Sequence, residues 1–256
     1  MSFPNFDRWK HLRTNLYNNT EVQVSLRGTT FMFDTENQLM NALSGKHEQH
    51  IHPDRMPGYL ARKCYDSEPT PEGDIKLTRN LITKKPKPHT VPSEFMTWIF
   101  EIDGISKSAL TQLDRHRMAS FLQQSGRWMD RSETRFVYDS YYEIEDEKTV
   151  VEWYKEDSAE IERCLSEYKR RRGRTYKNGK GEMVNMSRQS ARRKLTLDFA
   201  TGTFLAINTL SLRNALELRL DTHAEWEIRR AAKLMWDKAM KVAPAQLNGL
   251  LLPEGL

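Results

Sequence analysis

The stretch LDRHRMASFLQQSGRW, Leu113 to Trp128, gathers the side chains best suited to hold an anion. Arg115, His116 and Arg117 are consecutive, and Ser125, Gly126 and Arg127 follow a span of apolar and amide residues. Read as a helix running on from Leu110, three consecutive basic side chains fan around the axis and serve at least two surfaces. Gln112 and Arg115, three apart, share one face and can converge on a single ligand, while His116 and Arg117 turn toward another. Met118, Ala119, Phe121 and Leu122 are then left to pack. The QQSGR run adds the amides of Gln123 and Gln124, a hydroxyl, a glycine that permits close backbone approach and a guanidinium whose planar fork suits phosphate. An anionic nucleotide asks for that set. A basic turn followed by an exposed loop explains the same residues, and spacing alone leaves the two readings level.

Other clusters carry less. His47, His50 and His52 in HEQHIH lack the His-Glu-x-x-His spacing of a zinc hydrolase, and a loop before proline commonly holds solvated histidines, so no metal site is expected. The run KRRRGR, Lys169 to Arg174, could meet nucleic-acid phosphates, but it falls at the end of an expected helix, where basic residues complement the dipole. With no aromatic-studded strand pair or recognition-helix pattern beside it, nucleic acid is the minor reading.

The elements that must position these groups are partly legible. EVQVSLRG reads as a strand, and TENQLMNALSG as a helix with Leu39, Met40 and Leu43 on one face and Gly45 as its stop. After the Pro- and Lys-rich TKKPKPHTVPSE, FMTWIFEIDGIS reads as a strand through Phe95, Thr97 and Ile99. Val150, Tyr154, Ile161, Cys164, Leu165 and Tyr168 recur at helical spacing, with acids early and basic residues late. GRTYKNGKGE reads as a flexible loop, and residues 185–220 as two helical stretches broken near Gly202. Thr222 and Glu225 have the spacing of a capping box, opening a helix with Ile228, Ala231, Met235, Ala239 and Val242 on one face before Pro244.

Bulk properties exclude whole classes. At 256 residues, 38% hydrophobic and 29% charged, the chain is expected to fold as one globular unit and not as a disordered one. No apolar run approaches a membrane span, the start lacks the apolar core of a signal peptide, and a cytoplasmic protein is expected. Two cysteines, Cys64 and Cys164, suit reduced thiols. A net charge of +5 favours anionic ligands without naming one.

Several motifs in order resemble the flavin-dependent thymidylate synthases. RHRMASFLQQS has that family's Arg-His-Arg, seven residues and Ser, and SGRW is similar to its Ser-Gly-Arg-Tyr. LARKCYDS resembles its Ala-Arg-x-Ser/Cys-Phe/Tyr segment, and HTVPSEF its His-x-Thr-Pro-x-Glu-His. SARRKLTLDFATGTFLAINTLSLRNALELRLDTHAEWEIRRAA aligns without gaps with a family stretch holding an Ala-Arg pair, two Asn six apart, an Arg five later and a closing His-Ala-Gln-Trp-Glu-Ile. The resemblance covers roughly Gly58 to Ala232.

It implies an α+β fold, a sheet flanked by helices, with residues 1–57 a divergent extension packed on a catalytic domain of residues 58–256. It also implies a homotetramer whose active sites are shared between subunits, FAD as cofactor, and conversion of dUMP to dTMP with 5,10-methylenetetrahydrofolate and NADPH as co-substrates. The family uses no cysteine nucleophile. Carried over by position, Gln112, Arg115, Gln123, Gln124, Ser125, Gly126, Arg127, Arg192 and Arg219 would hold the nucleotide. Arg219 would be catalytic, since a fixed cation at the uracil edge favours ionised N3 and polarises the ring for attack from C5. Cys64, His89, Arg115, His116, Arg117, Gln123, Asn208, Asn214 and His223 would stand by the flavin; each histidine taken singly is an ordinary structural one.

The chain also departs from the pattern. Leu122 stands for Asn, Gln123 for Glu, Leu210 for a flavin-contacting Arg, Val91 for Thr, Glu225 for Gln and Trp128 for Tyr. Gln123 removes a negative charge and Leu210 a phosphate-binding cation, which opens two alternatives. One modifies C5 of another uridylate, by methylation of UMP or hydroxymethylation of dUMP. The other is a non-catalytic relative that binds nucleotide or nucleic acid.

Overall fold

The computed structural model describes residues 4–84 and 86–250. Six strands and nine α-helices are described in it: α1 (Lys10–Arg13), β1 (Gln23–Thr29), α2 (Glu36–Leu43), α3 (Met56–Cys64), α4 (Pro71–Thr83), β2 (Thr97–Ser106), α5 (Lys107–Leu113), β3 (Ala119–Gln123), α6 (Glu147–Arg172), β4 (Thr175–Lys177), β5 (Met183–Asn185), α7 (Arg188–Ala191), β6 (Ala200–Asn208), α8 (Thr209–Arg219) and α9 (Trp226–Val242). The fold is α+β. Four strands form an antiparallel sheet in the order β1-β2-β6-β3, and β4 pairs with β5 as a separate hairpin.

Strand alternation gives the sheet one dry face. Val24, Trp98, Phe100, Ile102, Leu205 and Ile207 point inward and pack with Leu110, Leu212, Leu216, Ile228, Ala231 and Met235 from α5, α8 and α9. Each large side chain so buried stabilises by about 1.5–3 kcal/mol. The small residues Ala231, Ala232 and Ala239 let α9 lie close to the sheet. A second cluster joins the amino-terminal segment to α6 through Trp9, Phe136, Tyr138, Val150, Tyr154, Ile161 and Leu165. Ion pairs of Arg230 with Asp7 and Glu21, at 2.7 and 3.1 Å, tie that segment to α9.

Two close backbone approaches fix how neighbouring elements meet. The register of β2 shifts between Ile102 and Ile105, where Gly104 has φ +69° and an added Cβ would lie 2.5 Å from the Glu21 carbonyl. That bulge turns the strand end so that Ser106 caps α5, its side chain accepting from Ala109 N. Gly58 in α3 packs onto the Asp74 carbonyl of α4, and Asp74 is buried between Arg55 and Arg62, 2.9 and 3.0 Å away.

Sequence expectations hold for β1, β2, α6 and α9 and fail in informative places. In β2 the buried set is Trp98, Phe100 and Ile102, while Thr97 and Ile99 face outward and Phe95 lies before the strand. A near-continuous apolar run disguises which phase is buried. α2 forms and its capping box at Thr35 is complete, yet Leu39, Met40 and Leu43 are exposed. The helix expected through Arg115 to Leu122 stops at Leu113, residues 114–118 turn, and 119–123 run as β3 on β6. The break near Gly202 is likewise a strand, since Gly202 lies inside β6. Short apolar runs do not distinguish strand from helix, and pairing across the sheet decides. GRTYKNGKGE is not a plain loop but the β4–β5 hairpin. Thr222 does not cap α9: Glu225 is its N-cap, without a side-chain cap bond, and Asp221 instead closes a turn through His223 N and Ala224 N.

Candidate active site

Three elements converge at the end of the sheet. α5 carries Gln112, the turn after it carries His116, and the last turn of α8 carries Arg219. Arg219 donates from Nε to His116 Nε2 at 3.0 Å and from Nη2 to the Gln112 carbonyl at 2.9 Å. An imidazole nitrogen that accepts carries no proton, so His116 is neutral with its proton on Nδ1. Burial and the Arg219 charge both hold its pKa below the usual histidine value, which agrees. Burial lowers the Arg219 pKa as well. Gln112 in turn donates from Nε2 to Glu225 Oε2 at the start of α9. Burial raises the Glu225 pKa despite that bond. A cleft of about 460 Å³ opens beside Glu225, walled by Tyr141, Trp153, His223 and Trp226.

A second group lies beyond the other end of β3. The Ser125 hydroxyl accepts from Arg127 N at 3.2 Å, forming a tight corner whose outer side is Gly126. A Cβ on Gly126 would lie 3.0 Å from Arg192 Nη1, so the guanidinium of Arg192 crosses that glycine. Arg188 braces the corner by donating to the Trp128 carbonyl at 2.5 Å. Ser125 is half-buried, and Arg127 and Arg192 are exposed. Two guanidinium forks, a hydroxyl and a bare backbone at one corner suit a phosphate group.

Gln123 lies between the groups. Its Nε2 donates to Asp114 Oδ1 and Oδ2 at 2.7 and 2.8 Å, and its Oε1 accepts from Lys107 at 2.9 Å. A glutamate there would face Asp114; the amide that removes charge also makes this bond possible. Gln124 is exposed, its backbone N–H paired with the Gly202 carbonyl. Arg115 and Arg117 are exposed and form no ion pair among the described residues. Asn208 caps α8 by accepting from Ser211 N at 2.8 Å, and Asn214 is exposed further along the same helix. Arg213 does not replace the cation missing at Leu210, because it is buried and donates to the Gln246 and Asn248 carbonyls.

Three more of the residues carried over by position are exposed. Cys64 is an exposed free thiol at the end of α3, His89 is exposed in the Pro-rich loop, and the 94% exposed side chain of His223 pairs with Asp221 at 2.8 Å. Among the described residues no group of three or more His, Cys, Asp or Glu is arranged to hold a metal ion. Lys107, Asp114 and Arg188 were not foreseen as supports of the site. Lys107 opens α5 and Asp114 follows its last residue, one on either side of Gln112.

With this geometry in view, comparison with known proteins is decisive. The family model described as thymidylate synthase complementing protein matches residues 48–245. The chain belongs to that family. Curated relatives carry the name flavin-dependent thymidylate synthase: one from Nitratidesulfovibrio vulgaris is 31% identical over 157 residues, 61% of this chain and 61% of the relative. Another from Clostridium tetani is 25% identical over 209 residues, 75% of this chain and 80% of the relative. One from Halobacterium salinarum is 27% identical over 205 residues, 72% and 78% of the two chains. The thymidylate synthase complementing match begins ten residues before Gly58 and contains every residue of the two groups. Among the described residues no helix is long and apolar enough to cross a membrane.

Proposed function

We propose that this protein is a flavin-dependent thymidylate synthase that methylates C5 of dUMP reductively to give dTMP, drawing the one-carbon unit from 5,10-methylenetetrahydrofolate and reducing equivalents from NADPH. The observation that carries the reading is Arg219, a half-buried cation aimed by His116 and by the Gln112 carbonyl. A fixed positive charge at the uracil edge stabilises negative charge as it develops on the ring, and costs no reorganisation when it does. The corner of Ser125, Gly126, Arg127 and Arg192 would take the nucleotide phosphate.

The residues also fit FAD. Arg115 and Arg117 are exposed cations, and His116 and Asn214 add a ring and an amide, the donor set a diphosphate and a flavin edge require. Bound there, the flavin would supply the hydride that reduces the transferred one-carbon unit. Arg115 and Arg117 would hold its charge in place, and neutral His116 would keep Arg219 oriented without competing for the nucleotide's anion.

β3 lies between the two groups, and Gln123 at its end reaches Asp114 beside the first. In this reading a homotetramer brings the Ser125 corner of one subunit to the Arg219 of another. The outer sheet face supports it, since Ile99, Leu122 and Phe204 are 40, 72 and 42% exposed on adjacent strands. In the same reading residues 1–57 are an extension held on a catalytic unit of residues 58–256, and the setting is cytoplasmic. Purified protein that is yellow and converts dUMP to dTMP with both co-substrates supports the proposal; colourless protein that FAD does not reconstitute overturns it. Product mass with dUMP and with UMP separates this reading from modification of another uridylate, the alternative that Gln123 and Leu210 raise.

A further inference from the structure

Glu225 stands where the family pattern has glutamine, and its place decides something an amide there leaves open. A glutamine facing a glutamine can pair in either orientation, because each amide end both donates and accepts. A carboxylate only accepts. Facing Glu225 Oε2, Gln112 must present Nε2, and its own Oε1 therefore points away from α9. No described donor bonds that oxygen. The Gln112 main chain is simultaneously tied to Arg219 through its carbonyl, so the free oxygen is carried on the residue that also aims the cation. Glu225 spends no hydrogen bond on capping α9, which leaves its carboxylate to Gln112.

Resting on the reading that Gln112 and Arg219 meet the nucleotide, we propose that Glu225 is a positioning residue. It locks the Gln112 amide with its oxygen toward the substrate, so that Gln112 accepts a hydrogen bond from the sugar 3′-hydroxyl. The chemistry of dUMP selects that partner. Against a fixed cation that favours ionised N3, and with its phosphate deprotonated, dUMP retains one N–H or O–H donor, the 3′-hydroxyl. An acceptor held toward the substrate therefore reads the sugar, and a freely turning amide does not.

The test compares dUMP with 2′,3′-dideoxyuridine 5′-monophosphate in the FAD-loaded enzyme, for the wild type, Glu225→Gln, Gln112→Ala and the double variant. Loss of one neutral hydrogen bond should lower wild-type kcat/KM about tenfold, chiefly through KM. In Glu225→Gln the Gln112 amide is free to turn, and the penalty for the missing hydroxyl should fall to about threefold or less. Gln112→Ala should show the same small penalty, and the double variant no further change. A role for Glu225 confined to holding the fold would move both substrates together and leave the ratio untouched. Equal penalties in wild type and Glu225→Gln, with the variant retaining its flavin absorbance and melting temperature, overturn the inference alone. A wild type that neither binds nor converts dUMP overturns the underlying reading, and the inference with it.

Discussion

Arg219 and His116 are joined by a hydrogen bond in which the guanidinium donates across 3.0 Å and the imidazole accepts. The bond runs between the last turn of α8 and the turn after α5, elements that share a core but are 103 residues apart in the chain. It makes His116 an orienting group for the cation and requires the imidazole to be neutral.

Removing the cation should separate binding of the flavin from chemistry. Arg219→Ala is expected to keep FAD, read by its absorbance, and to lose roughly 10²–10³ in kcat, the cost typical of deleting one group that stabilises developing charge. Turnover within a few-fold of wild type would refute the catalytic role.

The neutrality of His116 predicts a pH dependence. Its folded pKa lies below the ordinary value, so the unfolded chain takes up this proton first as pH falls. The stability contribution is complete above the unfolded histidine pKa, near 6.5, and is lost as pH falls through the lower folded value. Thermal melts of wild type and His116→Asn should therefore diverge between neutral and mildly acidic pH, with the variant less acid-sensitive. Nitrogen NMR should show the proton on Nδ1; a proton on Nε2 contradicts the bond.

Glu227 predicts the opposite slope. It is buried, accepts from Ser106 N at 2.7 Å at the start of α5, and burial pushes its pKa up to about 7. A raised folded pKa contributes stability that is present below the unfolded value, 4.5, and lost as pH rises through about 7. Glu227→Gln keeps the acceptor without the charge, and should raise the melting temperature by several degrees at pH 8 while matching wild type near pH 4.5. An unchanged difference across that range would rule this account out.

Gly58 has no room for a side chain. A Cβ there would lie 2.1 Å from the Asp74 carbonyl, a backbone atom in α4, so Gly58→Ala must push α3 and α4 apart. Destabilisation of about 3 kcal/mol is expected, at the upper end of ordinary overpacking, and denaturant unfolding measures it. Gly179→Ala, with no atom within 4 Å, is the control and should be neutral.

What the sequence determined by itself was the family and the long amphipathic elements. α6 and α9 announce themselves because 26 and 17 residues at helical period outweigh any local ambiguity. The ordered motifs around Arg115, Ser125 and Arg219 named the family. Tertiary structure decided the rest, for reasons that are not local. Ala119 to Gln123 is a strand because β6 offers it a ladder, and five residues carry too little period to say so. The buried phase of β2 depends on which face α9 covers. Arg213, close in sequence to Leu210 and a natural substitute for its missing charge, is committed to the 246–248 turn, which only folding brings near. The orientation of the Gln112 amide was invisible until Glu225, 113 residues away, was placed against it, because hydrogen-bond direction belongs to the pair and not to either residue.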